Sequence, residues 1–287
     1  MDASATSRVR LDAMMAEAEG RVRVERSRNL ALAVLFLALL VITSRATELA
    51  PGQLIAGAPN MSRLLAGFLH PDLSIVTPGS GRFAEGLIPH FVIQTLAIAI
   101  VGTTLGALIA IPLSFLAAGN LMRRNPLGST VYYLVRIGMS VIRSVPTLFW
   151  GILFVISVGL GPFTGVLAVT IFSVGLLSKL FSEAIEAIDP GQVEALTAAG
   201  ASTVQTLVHG VMPQVLPYLI AHLLYTAEVN VHSATILGIV GAGGIGFLFL
   251  QYVEQFQYSQ VAMLLIVVIA VTIAIDYSSA AIRRRII

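Results

Sequence analysis

Few residues of this chain carry groups able to do chemistry, and most of them stand inside apolar stretches. Residues 217–240 hold His222, Glu228, Asn230, His232 and Ser233. Ionisable groups in a membrane are costly and usually face a bundle interior or water. Glu228 and His232 are four apart and share a helix face, with Ser233 beside them, while Asn230 points elsewhere. Three uses fit: a polar lining for a solute path, a proton relay, or pairing with Arg or Gln on a neighbouring helix. Two candidate ligands without a third do not make a metal site. Arg136 and Arg143 are seven apart on one face and either line an anion path or snorkel to headgroups. Gln94 and Asp276 read as packing residues. Gly241, Gly243, Gly244 and Gly246 fall in a G-x-G-x-x-G pattern. A dinucleotide site needs a buried strand before it and an acidic residue about 20 positions on. An apolar helical stretch precedes it instead, so these glycines read as a turn or gate between two spans.

The elements that position these groups are membrane helices. Of 287 residues, 56% are hydrophobic and 11% charged, against about 25% charge in a soluble domain. The expected architecture is all-α and polytopic, with six transmembrane helices. The absence of cysteine excludes disulfides and Cys-ligated metals. Residues 1–28 are basic, and part of them, about 7–24, suits an amphipathic surface helix. Residues 29–45 form the first span around the apolar run 30–42; a signal peptide competes, but Arg45 makes a poor cleavage position. Residues 46–89 form an extracytoplasmic loop with short helices. Its Asn60-Met61-Ser62 sequon is a chance match.

Residues 90–287 make the core. Residues 90–118 form a long helix in which Gly102 and Gly106 have the spacing that lets membrane helices approach closely. The stretch 131–161 is a span broken near Pro146. Further spans cover 163–185, 217–240 and 259–281, with a Gly-rich and then Gln-rich loop over 241–258. Positive residues cluster at the N-terminus, at Arg123 and Arg124, at Lys179 and at Arg283 to Arg285. That bias orients the chain N-in and C-in, with both termini cytoplasmic.

The same bias puts residues 189–217 in the cytoplasm. Asp189 caps a helix whose first position is Pro190. Gly200 suits the left-handed residue that ends it. Ser202 and Gln205 fit a capping box for a second helix running to about Gly210, near the breaker Pro213. Two short helices meeting at a bend present one rigid face to a soluble partner.

Glu194-Ala195-Leu196, then Gly200, then Gly210-Val211-Met212-Pro213 resembles the EAA loop of ABC-importer permeases. The Glu, first Ala, Gly and Pro stand in register, while Leu196, Gly210 and Met212 depart from the pattern. Ile142-Arg143-Ser144-Val145-Pro146 and the glycine stretch 234–246 are similar to phosphonate-type permeases, with the methionine type next. The resemblance covers roughly residues 90–285. It implies a permease subunit of a bacterial inner-membrane importer, multi-pass in lipid, moving phosphonate or a related phosphorus oxyanion. It implies a second copy of the chain, an extracytoplasmic substrate-binding protein, and two ATPase subunits that bind ATP and Mg. Asp189, Glu194, Ala195, Gly200, Ser202 and Pro213 would form the ATPase-coupling elbow, and Arg143, Glu228, His232 and Ser233 the path. No cofactor and no nucleic acid is expected. The chain has no G-x-x-x-x-G-K-[ST] loop, so it is not itself the ATPase. The rivals are a methionine-type importer, a proton-coupled secondary transporter using Glu228 and His232, and an intramembrane enzyme, which lacks a nucleophile–base pair.

Overall fold

A backbone in hydrocarbon must satisfy its own polar groups, which leaves helices as the solution for long apolar runs. The computed structural model describes residues 25–26, 28–47, 51–76, 87–123 and 125–286, and among them no strand occurs. The surface helix expected over 7–24 lies outside the described residues. The chain divides into two compact units, residues 1–63 and 64–287.

The first unit carries α1 (Arg28–Ala46), long and apolar enough to span. It also holds α2 (Pro51–Ala56) and the start of α3 (Ala58–Leu69). Two short helices therefore follow α1 within residues 46–89.

The second unit is a bundle. Its helices are α4 (Leu87–Leu116), α5 (Gly119–Met122), α6 (Pro126–Ser144), α7 (Thr147–Val158), α8 (Pro162–Glu186), α9 (Pro190–Ala198), α10 (Thr203–Thr206), α11 (Met212–Ile239), α12 (Ile245–Glu254) and α13 (Tyr258–Ile286). Among the described residues five helices can cross a membrane, and α6 with α7, bent by 85°, makes a sixth if counted as one broken span. The bend falls at Val145 and Pro146 because the ring of Pro146 denies the helix a donor and biases Val145 to the extended backbone it adopts (φ −94, ψ 117).

The scaffold is the pair α4 and α8, packed along most of their lengths. Gly102 lies against Val169 and the carbonyl of Val166, and Gly106 against Ser173 and the carbonyl of Thr170. The two glycines let the backbones approach as their spacing predicts. Ala107, Ala110, Leu177, Phe181, Ile185, Val215 and Leu219 fill one end of the core. Ile98, Val169, Ala234 and Leu237 fill its middle. Ile88, Ile245, Leu248, Val261 and Leu264 fill the other end.

That last end is tied down by the turn after α3. Asp72 Oδ1 accepts from Ser74 N (2.9 Å) and Ser74 Oγ (2.6 Å), and Asp72 Oδ2 from Gln260 Nε2 (3.4 Å). Donation by the Ser74 hydroxyl, then by its amide, holds the Asp72 carboxyl below the usual aspartate range.

Three boundaries differ from the sequence reading. The second elbow helix does not stop near Gly210: α10 passes through a π-turn (Leu207–Val211) straight into α11. The wider turn absorbs the register break that Pro213 imposes, and Gln214 Nε2 donates to the Gly210 carbonyl at 2.7 Å. The stretch after the glycines is not a plain loop but contains α12. Finally, α13 continues through Arg283 to Ile286 instead of ending near 281.

Candidate functional site

The elbow is built by local rules. Asp189 Oδ1 accepts from Gly191 N at 2.9 Å, and Pro190 takes the first helical position. Gly200 has φ +83, its N–H donates to Thr197 O, and Ala201 N donates to Leu196 O. This pair of bonds is a Schellman closure, which needs a left-handed residue. Ser202 and Gln205 complete a reciprocal capping box. Val193 turns inward onto the core cluster, and Leu196 packs beneath Gly210. Glu194, Ala195, Gly200 and Ser202 are exposed. An open groove of about 380 Å³ runs under the elbow, lined by Phe115, Leu121, Val193, Thr197, Thr206 and Leu207.

A charged clamp anchors the elbow's base. Glu186, three residues before Asp189, accepts from Gly119 N (2.6 Å) and from Arg136 (2.7 Å). Arg136 Nε also donates to Ala117 O at 3.2 Å, and its guanidinium stacks 4.8 Å above the Tyr132 ring. Asn120 Nδ2 donates to Ile185 O at 2.8 Å. Arg136 therefore neither snorkels nor offers itself to a solute; it joins α6 to the α4–α5 turn and the end of α8. Glu186 was illegible from sequence, because its partners Gly119 and Arg136 stand 67 and 50 residues away.

The intramembrane groups separate into tied and open ones. Glu228 is held by Arg283 of α13 at 3.0 Å, which is the pairing alternative for this residue. His232 is exposed, and Ser233 Oγ donates within its own helix to Val229 O at 3.1 Å. Arg143 is exposed and, among the described residues, makes no hydrogen bond or ion pair. Among the described residues no hydrogen bond or ion pair joins Glu228, His232 and Arg143.

Asn230, read from sequence as pointing away from the Glu228 face, is fully buried. Its Nδ2 donates to Thr103 Oγ1 of α4 and Ser173 Oγ of α8, each at 2.7 Å. These three side chains meet only when α4, α8 and α11 pack together, so no single-helix pattern announces the contact.

The glycine stretch forms a tight turn. Gly241, Gly243 and Gly244 have φ of +91, +79 and +79. Gly244 N donates to Gln94 Oε1 (2.7 Å) and Ile245 N to Thr95 Oγ1 (2.8 Å), so α4 caps the start of α12. Gln94 is a specific partner and not a lone packing residue. Gly246 packs on Gly238 and the carbonyl of Thr235, leaving no room for a side chain.

A helical membrane bundle with a capped, exposed elbow at one end is the build of a transport permease. Residues 110–287 match the family described as binding-protein-dependent transport system inner membrane component, and the chain belongs to that family. It is therefore a multi-pass inner-membrane protein. The candidate phosphite transport system permease protein HtxC of Stutzerimonas stutzeri is 34% identical over 273 residues, covering 94% of this chain and 91% of that one. The phosphite transport system permease protein PtxC of the same organism is 38% identical over 231 residues, covering 80% and 79%. Among solved structures, a chain of the MetNI methionine ABC transporter in an inward-facing conformation superposes with a TM-score of 0.62 and 25% identity, covering 70% of this chain and 96% of that one.

Proposed function

We propose that this chain is the permease subunit of an ATP-driven importer for phosphonate or a related phosphorus oxyanion such as phosphite. What carries the reading is similarity to the phosphite permease PtxC across about four-fifths of both chains. The exposed, rigidly capped elbow supports the coupling role. In this reading Glu194, Ala195 and Gly200 form the face that docks on an ATPase subunit. One bundle forms one wall of a path, so two copies assemble with two ATPases that bind ATP and Mg. An extracytoplasmic binding protein delivers the solute, and both termini lie in the cytoplasm. Closure of the ATPases moves the elbows. The Asp189 N–H donates to Gln214 Oε1 at 3.0 Å and Glu186 clamps α4 and α6, so that movement reaches several helices together.

The chain lacks cysteine, so a single Ala195→Cys substitution gives an unambiguous probe. Co-expressed with its ATPase subunit, it should crosslink to the ATPase surface with a yield that changes with ATP. The assignment fails if neither Ala195 nor its neighbours crosslink and uptake of phosphite survives ATP depletion.

A further inference from the structure

The path called for by this reading needs cations that an anion can reach, and the bundle carries one unpaired among the described residues, Arg143, and an exposed one, Lys179, away from Glu228. Gly175 of α8 is the contact point for α6: a Cβ added there would lie 3.1 Å from Arg143 Cγ and 2.7 Å from Ile142 Cγ2. Gly175 is the fourteenth of 25 residues in α8, so this contact sits near the middle of the span. Lys179 follows four residues later, one turn and about 6 Å further along α8. Its Nζ lies 3.4 Å from Glu183 Oε1, one turn further again. Across from Glu183, His222 of α11 is within its electrostatic reach. Both side chains of the Lys179–Glu183 pair are open, 41% and 50% exposed.

The helices set this arrangement. On α8, the positions facing α4 include Val169, Thr170 and Ser173, which meet Gly102 and Gly106. Lys179 and Glu183 lie on a different side of the same helix. That side is flanked by α6, through Gly175, and by α11, through His222. Ser140 of α6 is exposed one turn before Arg143 and shares its side of the helix. Arg143, packed beside Gly175 near the middle of α8, cannot be left against acyl chains without a large cost, so the side of α8 that it covers faces water or protein.

We propose that the trough between α6 and α11, floored by Lys179 and Glu183 on α8 and headed by Arg143, is the anion-conducting wall of the permease. Its ligand is a small tetrahedral oxyanion of phosphorus. Arg143 offers a planar fork of donors and Lys179 a point charge. Glu183 holds Lys179 when no anion is present and so keeps the trough from being a fixed trap. An anion that draws Lys179 off Glu183 restores the carboxylate's repulsion behind it, which favours onward movement. Ser233 lies eleven residues, about three turns, after His222 on the same side of α11, so it extends this wall. Glu228 does not, because it is turned to Arg283.

The identity of the solute rests on the reading above, but the trough can be tested without a substrate. In the full importer reconstituted in proteoliposomes, Ser140→Cys supplies the only thiol in this chain. Its modification rate is measured with an anionic and a cationic methanethiosulfonate of similar size. The expected result is anion preference, falling at least about five-fold in both Arg143→Gln and Lys179→Gln. Arg143→Lys should keep most of the preference, which a merely structural arginine would not show. In parallel, phosphite uptake is expected to fall about ten-fold or more in either Gln variant, with the complex still assembling at wild-type yield. A Ser140→Cys thiol that reacts only with lipophilic maleimide, or a charge preference unchanged by both Gln variants, overturns the trough. An intact charge preference in the Ser140→Cys complex, together with a wild-type complex that moves no phosphite, phosphonate or phosphate, sinks the solute assignment and leaves the anion trough standing.

Discussion

Replacement of Gly200 tests the elbow most sharply, because geometry isolates one physical term. Gly200 has φ +83, and a Cβ added there would meet nothing within 4 Å. A side chain therefore costs no packing and breaks no contact; it costs only the left-handed backbone. That cost is about 1–2 kcal/mol for an ordinary L-residue, less for Asn, and more for a β-branched one. At about 1.4 kcal/mol per tenfold, Gly200→Ala lowers the population of the closed elbow by about five- to thirty-fold relative to its open forms. Gly200→Asn should be milder and Gly200→Val more severe. Since the strain is confined to the Gly200–Thr197 and Ala201–Leu196 bonds, the bundle should still fold and insert. The assay is ATP-driven phosphite uptake in proteoliposomes, beside hydrogen exchange of residues 195–202 and the ATPase rate. Uptake per ATP and amide protection should fall together in the order Gly, Asn, Ala, Val. Wild-type uptake and protection in Gly200→Val would refute the reasoning, as would an Asn variant as impaired as Val.

Other outcomes follow from single contacts. Asn230→Leu removes two interhelical bonds of 2.7 Å and should cost about 1–3 kcal/mol, read as a lower thermal midpoint in detergent; an unchanged midpoint would mean the node holds nothing together. Gly106→Val drives a side chain into Ser173 and the Thr170 carbonyl and should abolish stable insertion, whereas Gly138→Val, with nothing within 4 Å of its Cβ, should be accepted. The Asp72 carboxyl is held below its ordinary value of 3.8, so its bonds stabilise the turn after α3 fully above that pH and are lost as pH falls through the lower folded value. Proteolysis of the 72–76 turn should be insensitive to pH between about 5 and 7 and rise only in stronger acid, and Asp72→Ala should remove that dependence. Glu228→Gln should loosen α13 without altering the pH profile of uptake; a lost alkaline or acid limb would return Glu228 to a proton-relay role.

Much of the candidate site was legible because its rules are local. The caps at Asp189 and Ser202, the Pro190 start and the left-handed Gly200 all act within about four residues, so spacing alone names them. The helix break at Pro146 and the glycine contacts at Gly102 and Gly106 were legible for the same reason, through backbone chemistry and side-chain size. Pro213 misled because a proline reads as a stop, while a π-turn over Leu207–Val211 lets the helix pass through it. Residues 245–254 misled because the surrounding Gly and Gln composition suggests a loop, while caps from Gln94 and Thr95 start a helix there.

By itself, the sequence determined that this is a helical membrane protein, its helix break at Pro146, and the caps and left-handed turn of its elbow. These follow from hydropathy, proline and glycine geometry, and capping, none of which depends on a distant residue. Only the tertiary structure decided which charges are tied and which are open. Arg136 and Arg143 sit on one face at a spacing of seven, yet Arg136 finds Glu186 fifty residues away and Arg143 finds no partner among the described residues. Glu228 and Asn230 are settled in the same way, one by Arg283 of α13 and the other by burial between α4 and α8. Helix periodicity gives the direction in which a side chain leaves its own helix; what it meets depends on how neighbouring helices pack, and that is fixed only when the bundle closes.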